Sequence, residues 1–134
     1  FCLAGLAGTA SAAIPASERE ALIAIYNATG GPNWTNKTGW LGAPGTECNW
    51  YGVSCGFDTV VTLFLDNNNL VCPLPPINAL RNLFFLNLPG NQLSGPIPSF
   101  DGITKLTHIW LNDNRLIGCE VRCRRLPECR TCAG

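Results

Sequence analysis

One eleven-residue pattern occurs three times between Val60 and Gly118, as Val60–Leu70, Leu83–Leu93 and Leu106–Leu116, with successive copies 23 residues apart. Matching positions carry matching residues: Asn68, Asn91 and Asn114; Leu70, Leu93 and Leu116; Leu63, Leu86 and Ile109. A unit this short cannot bury its own apolar face, so a fixed period of this length predicts coils stacked into a solenoid. Within each copy Leu63 and Leu65, Leu86 and Leu88, and Ile109 and Leu111 alternate with other residues. That period of two belongs to a strand, and successive strands should pair in parallel about 4.8 Å apart. The asparagines follow where the chain turns out of each strand. A carboxamide both donates and accepts, so it can satisfy backbone groups of adjacent coils in a way aspartate could not. Leu70, Leu93 and Leu116 return to the interior. Cys72-Pro73-Leu74-Pro75 and Gly95-Pro96-Ile97-Pro98 then occupy equivalent places on the opposite side, with Leu80, Leu83, Ile103 and Leu106 completing the lining.

An open stack exposes apolar ends and needs covers. Upstream, Ser17 and Glu20 have capping-box spacing, and acidic residues in the first turn suit the helix dipole. Leu22, Ile25 and Tyr26 form one apolar stripe, and Gly30-Gly31-Pro32 ends the pattern. A helix from about Glu18 to Thr29, laid on the end of the stack, is expected. Trp34, Trp40 and Trp50 are assigned to core packing. Cys48 and Cys55 flank a short strand that a bridge between them would tie. The expected organisation is a signal-peptide remnant at 1–13, a cap at 14–56, repeats at 57–118 and a cysteine-rich cap at 119–134.

Cys119, Cys123, Cys129 and Cys132 are read as two disulfides. Their C-x3-C-x5-C-x2-C spacing is unlike the usual zinc arrangements, so no metal and no cofactor is expected. Cys129-Arg130-Thr131-Cys132 lacks the βαβ context of a redox motif. Cys72 stands where Gly95 and Gly118 stand, and the third repeat does not complete its second half. Two strand spacings, about 9–10 Å, would separate Cys72 from Cys119. This exceeds the roughly 7 Å reach of a disulfide. Cys72 is therefore expected to be a buried free thiol or an inter-chain partner.

With 134 residues the chain makes one small domain, and its zero net charge points to no electrostatic partner. Five of the nine cationic residues, Arg115, Arg122, Arg124, Arg125 and Arg130, fall in the last 20 positions without interleaved aromatics, which argues against nucleic acid. Eight cysteines in so short a chain suggest an oxidising compartment. Phe1 to Gly8 is apolar but too short for a membrane span, and Ala10-Ser11-Ala12 reads as a signal-cleavage site. No later stretch is apolar enough for a membrane helix. Asn27, Asn33 and Asn36 each begin an Asn-x-Thr acceptor sequon. Secretion, or display at the cell surface, is expected.

Leu93-Ser94-Gly95-Pro96-Ile97-Pro98 resembles the L-x-G-x-I-P signature of plant-type leucine-rich repeats. Cys48-Asn49-Trp50-Tyr51-Gly52-Val53-Ser54-Cys55 resembles the C-x-W-x-G-V-x-C of their N-terminal cap, as does the Ala21–Tyr26 helix with Asn33-Trp34. The resemblance covers about residues 18–118. It implies an α/β fold: a short right-handed solenoid of about three 23-residue repeats with a parallel sheet on its concave face. It also implies an extracellular binding scaffold, as in receptor-kinase ectodomains and polygalacturonase inhibitors.

Residues alternating with the inward leucines form columns on the predicted concave face: Thr62, Phe85 and His108; Phe64, Asn87 and Trp110; Asp66, Pro89 and Asn112. Large aromatics on a solvent-facing sheet are not needed by the core and are typical of binding hot spots. Thr62, Phe64, Asp66, Phe85, Asn87, His108, Trp110 and Asn112 are the candidate ligand contacts. The expected ligand is a protein or peptide, with a co-receptor or a secreted hydrolase as possible partners. A hydrolase inhibitor and a truncated receptor ectodomain are the alternatives, although inhibitors of that kind usually carry more repeats. His108, the single histidine, has no assignable nucleophile, and no phosphate loop or kinase signature appears, so no enzyme activity is expected.

Overall fold

Residues 23 apart stand side by side on neighbouring strands in the computed structural model, which describes residues 13–117 and 128–130. Leu63 pairs with Leu86 and Leu86 with Ile109, so the period of the sequence becomes the register of the sheet. The described residues form one helix, α1 (Ala16–Ala28), and eight strands: β1 (Val53–Gly56), β2 (Thr59–Phe64), β3 (Val71–Pro73), β4 (Phe85–Asn87), β5 (Gln92–Pro96), β6 (His108–Trp110), β7 (Arg115–Ile117) and β8 (Glu128–Arg130). A five-stranded sheet has the order β1-β2-β4-β6-β8, antiparallel only between β1 and β2. A second, parallel sheet of β3, β5 and β7 lies on the opposite side of each coil.

Between the sheets sits one apolar core. Leu63, Leu65, Leu70, Leu80, Leu83, Leu86, Leu88, Leu93 and Ile109 are fully buried. The asparagines act as the carboxamide argument requires. Asn91 Oδ1 accepts from the N–H groups of Asn68 and Leu70, each at 2.9 Å, while its Nδ2 donates to the carbonyls of Leu65, Leu88 and Pro89 at 2.8–3.2 Å. Asn114 repeats the pattern, accepting from Leu93 N and donating to the Leu88, Leu111 and Asn112 carbonyls. Asn68 faces the cap instead and exchanges bonds with the Asn36 backbone.

The second sheet was not anticipated from the strand pattern, which places strands on one side only. It pairs residues 21 apart, such as Cys72 with Leu93 and Gly95 with Leu116. The larger sheet pairs residues 23 apart, so the two sheets of each coil are two residues out of step.

The helix starts two residues earlier than expected. Pro15 precedes it, and the Pro15 carbonyl accepts from Glu18 N and Arg19 N. Ser17 therefore lies inside the first turn, makes no cap, and the Ser17–Glu20 capping box does not form. Glu18 is buried: its carboxylate accepts from Val60 N at 2.7 Å and from the Thr59 hydroxyl, fastening the helix to the start of β2. Gly30, at φ 73°, ends the helix in the left-handed conformation that favours glycine. Ala21, Leu22, Ile25 and Tyr26 form its buried stripe. Trp34, Trp40 and Trp50 are buried in one aromatic cluster with Tyr26, and the Cys48–Cys55 disulfide joins the cap loop to β1.

Cys72 corrects a second expectation. It is exposed, not buried, and has no disulfide partner among the described residues. Its φ of 66° matches the 72° of Gly95, so the position demands a left-handed backbone that glycine meets without strain. That backbone breaks the alternation and leaves the thiol outside, although its register partner Leu93 is fully buried. The signal remnant, and the side chains of Cys119, Cys123, Cys129 and Cys132 with their expected disulfides, lie outside the described residues.

Candidate functional site

The strands that bury Leu63, Leu86 and Ile109 must turn the residues on either side outward. The outward face of the larger sheet is therefore a grid set by register. One row is Thr62, Phe85 and His108; the next is Phe64, Asn87 and Trp110. Diagonal neighbours in these rows are close enough for aromatic rings to meet. Phe85 is the hub, with ring centroids 6.3 Å from Phe64, 4.8 Å from His108 and 6.1 Å from Trp110. Its ring lies within 11° of parallel to Trp110, and His108 stacks on Trp110 at 5.3 Å.

Phe84 also joins this cluster, edge-on to Phe85 at 4.7 Å and 6.3 Å from His108. It was absent from the columns because strict alternation assigns one outward residue between inward leucines. Leu83 and Leu86 are separated by two residues, which left room for both Phe84 and Phe85 outside. Phe64 and Phe84 keep 39% and 40% of their surface exposed, unusual for phenylalanine on a sheet that also forms a core.

Polar groups border the rings at the strand ends. Asn87 Nδ2 donates to Asp66 Oδ1 at 3.2 Å, and Asn67 Nδ2 to Asp66 Oδ2 at 3.4 Å. Asn112 Nδ2 donates to Asp113 Oδ2 at 2.6 Å. The Thr107 hydroxyl lies 2.7 Å from His108 Nδ1 and 3.2 Å from the Phe84 carbonyl. Thr62 Oγ1 is buried without a partner among the described residues. All eight candidates, Thr62, Phe64, Asp66, Phe85, Asn87, His108, Trp110 and Asn112, are at least partly accessible.

The remaining sequence candidates stand apart from this face. Asn27 on α1 and Asn33 beyond it are exposed, while Asn36 is half-buried, its Oδ1 accepting from Thr38 N and Thr38 Oγ1. Cys48 and Cys55 are spent on their disulfide. Among the described residues no group of three His, Cys, Asp or Glu side chains is placed to hold a metal ion, and no helix is long and apolar enough to cross a membrane.

No family model matches the chain. It is 35% identical over 108 residues to an inactive leucine-rich repeat receptor-like serine/threonine-protein kinase of Arabidopsis thaliana, a match covering 78% of this chain and 16% of that protein. It is 30% identical over 108 residues to the receptor-like kinase TMK4 of the same plant, covering 78% of this chain and 11% of the kinase. The chain thus spans less than a fifth of the length of these relatives. Among solved structures, a plant ice-binding protein superposes with a TM-score of 0.51 at 26% identity, covering 77% of this chain and 42% of that one.

Proposed function

Since the chain belongs to the plant-type leucine-rich repeat proteins, we propose that it is an extracellular recognition module that binds a protein or peptide through the outward face of its larger sheet. The observation that carries this reading is the contiguous aromatic surface of Phe64, Phe84, Phe85, His108 and Trp110. These rings sit where the core does not need them, and rigid aromatic anchors carry a disproportionate share of binding energy. The smaller sheet offers no equivalent. Its exposed positions carry Cys72, Pro73, Gln92, Pro96, Arg115 and Ile117, and Gln92 bonds sideways to Asn69.

No catalysis is proposed. The matched kinases are many times longer than this chain, and His108 bonds to a threonine hydroxyl with no carboxylate or nucleophile on its ring among the described residues. The family, the disulfide and the three sequons support a reading of secretion or surface display, with exposed Asn27 and Asn33 the more accessible acceptors. Domain limits of 14–56 for the cap and 57–118 for the repeats are part of the same proposal.

The test is capture of partners from an extracellular plant extract on immobilised protein. Trp110→Ala and Phe85→Ala should each reduce a specific partner's affinity by tenfold or more, about 1.4 kcal/mol. Gln92→Ala on the smaller sheet should change it little. Partners that depend on Gln92 and ignore Trp110 would contradict the reading. Inhibition of a polygalacturonase by the pure protein would select the inhibitor alternative.

A further inference from the structure

Carboxylates orient the amides that border the aromatic surface. The ionised Asp66 carboxylate can only accept hydrogen bonds. Asn87, 3.2 Å from it, must therefore present Nδ2 to that carboxylate. Asn87 Oδ1 remains an acceptor, on the residue that stands between Phe64 and Trp110 in the row. Asn112 is fixed in the same way by Asp113, and Asn67 by Asp66. Each of these amides spends one N–H on a carboxylate.

His108 is held at the edge of the cluster by Thr107, whose hydroxyl lies 2.7 Å from His108 Nδ1 and 3.2 Å from the Phe84 carbonyl. Neither strand row carries a cationic residue on β2, β4 or β6, and Arg130 follows Trp110 on β8. The face therefore combines negative ring surfaces with the bordering carboxylates of Asp66 and Asp113. A planar cation with several N–H groups complements both, whereas an ammonium lacks the flat surface to lie on a ring.

We propose that this face binds an arginine side chain of its protein or peptide partner, with the guanidinium laid on Trp110 and Phe85 and donating to Asn87 Oδ1 and Asp66. This deepens the recognition reading and rests on it.

The experiment is an NMR titration of the ¹⁵N-labelled protein with N-acetyl-Gly-Arg-Gly-amide, its citrulline counterpart and its lysine counterpart. Citrulline keeps the shape and loses the charge. The arginine probe should shift the Trp110 Nε1–H and Asn87 Nδ2–H₂ signals, with a midpoint about fivefold lower than citrulline, as expected for one cation–π contact and one exposed ion pair. Lysine should fall between them. The isosteric Asp66→Asn should raise the arginine midpoint by about threefold while leaving the rest of the spectrum unchanged. Arg130 holds the next backbone position of the Trp110 row on β8 and could compete, so Arg130→Gln should leave binding equal or tighter.

Equal midpoints for arginine and citrulline would overturn the proposal. So would tighter binding of lysine, shifts confined to Asp58 or Asp101, loss of binding in Arg130→Gln, or no shift up to the solubility limit. A captured partner that depends on Trp110 but on none of its own arginines would sink this inference and leave the recognition reading standing.

Discussion

The N-terminal cap and the repeat stack bury polar groups in opposite ways. In the stack one residue type does the work at each turn: Asn91 and Asn114 tie neighbouring coils with nearly the same set of backbone bonds. That is possible because each coil meets a near copy of itself, so a single side-chain solution recurs with the period. The cap has no copy to meet. It buries two carboxylates, Glu18 and Glu47, and satisfies each individually. Glu18 takes Val60 N and the Thr59 hydroxyl, which in turn accepts from Asn82 Nδ2 at 3.1 Å. Glu47 takes Gly45 N at 2.9 Å and pairs with Arg19, whose guanidinium also reaches the Gly42 carbonyl and lies over Trp50. Periodic burial depends on an amide that both donates and accepts; aperiodic burial can use a carboxylate wherever donors alone surround it.

Swapping amide and acid in the two regions should separate them most sharply. Asn91→Asp removes the donor to three carbonyls and places a charge beside them, and should cost about 3 kcal/mol or more in urea unfolding. An effect below about 1 kcal/mol would show that the ladder is dispensable. Next in size, Cys48→Ala with Cys55→Ala opens a short loop in the cap and should cost about 2 kcal/mol. If cap and stack unfold as one unit, both variants will lower a single transition; two transitions in the double cysteine variant would break the comparison into separate domains.

Glu18→Gln should be mild, under about 1 kcal/mol, because the amide oxygen can still accept from Val60 N and the Thr59 hydroxyl can rotate to accept. A loss as large as that of Asn91→Asp would mean the charge itself fastens the helix. The smallest change expected is a gain. Cys72→Gly relieves a left-handed backbone at the cost of a more flexible unfolded chain, and should stabilise by less than about 1 kcal/mol. A destabilised variant would instead point to a contact made by the thiol.

Much of the stack was legible because its signals repeat. The inward leucines, the role of the asparagines and the outward placement of Phe64, Phe85, His108 and Trp110 followed from strand parity applied three times. The Cys48–Cys55 bridge and the buried tryptophans were legible from the cap resemblance. Other features carried no repeated signal. The Ser17 capping box was a local pattern overruled by Pro15 one turn earlier, and Cys72 looked interior because its left-handed backbone is not written in hydrophobicity. Phe84 escaped because the two-residue gap between Leu83 and Leu86 was read as one outward position.

Period and parity alone therefore settle which residues of this chain share a row and which side of the strand they occupy, because backbone geometry makes both a matter of counting. Counting cannot settle which way an amide faces, how rings from three coils stack, or that a second sheet forms two residues out of step with the first. Those depend on contacts between side chains and carbonyls that only come together once the coils are stacked, and they join exposed residues of separate coils into one surface.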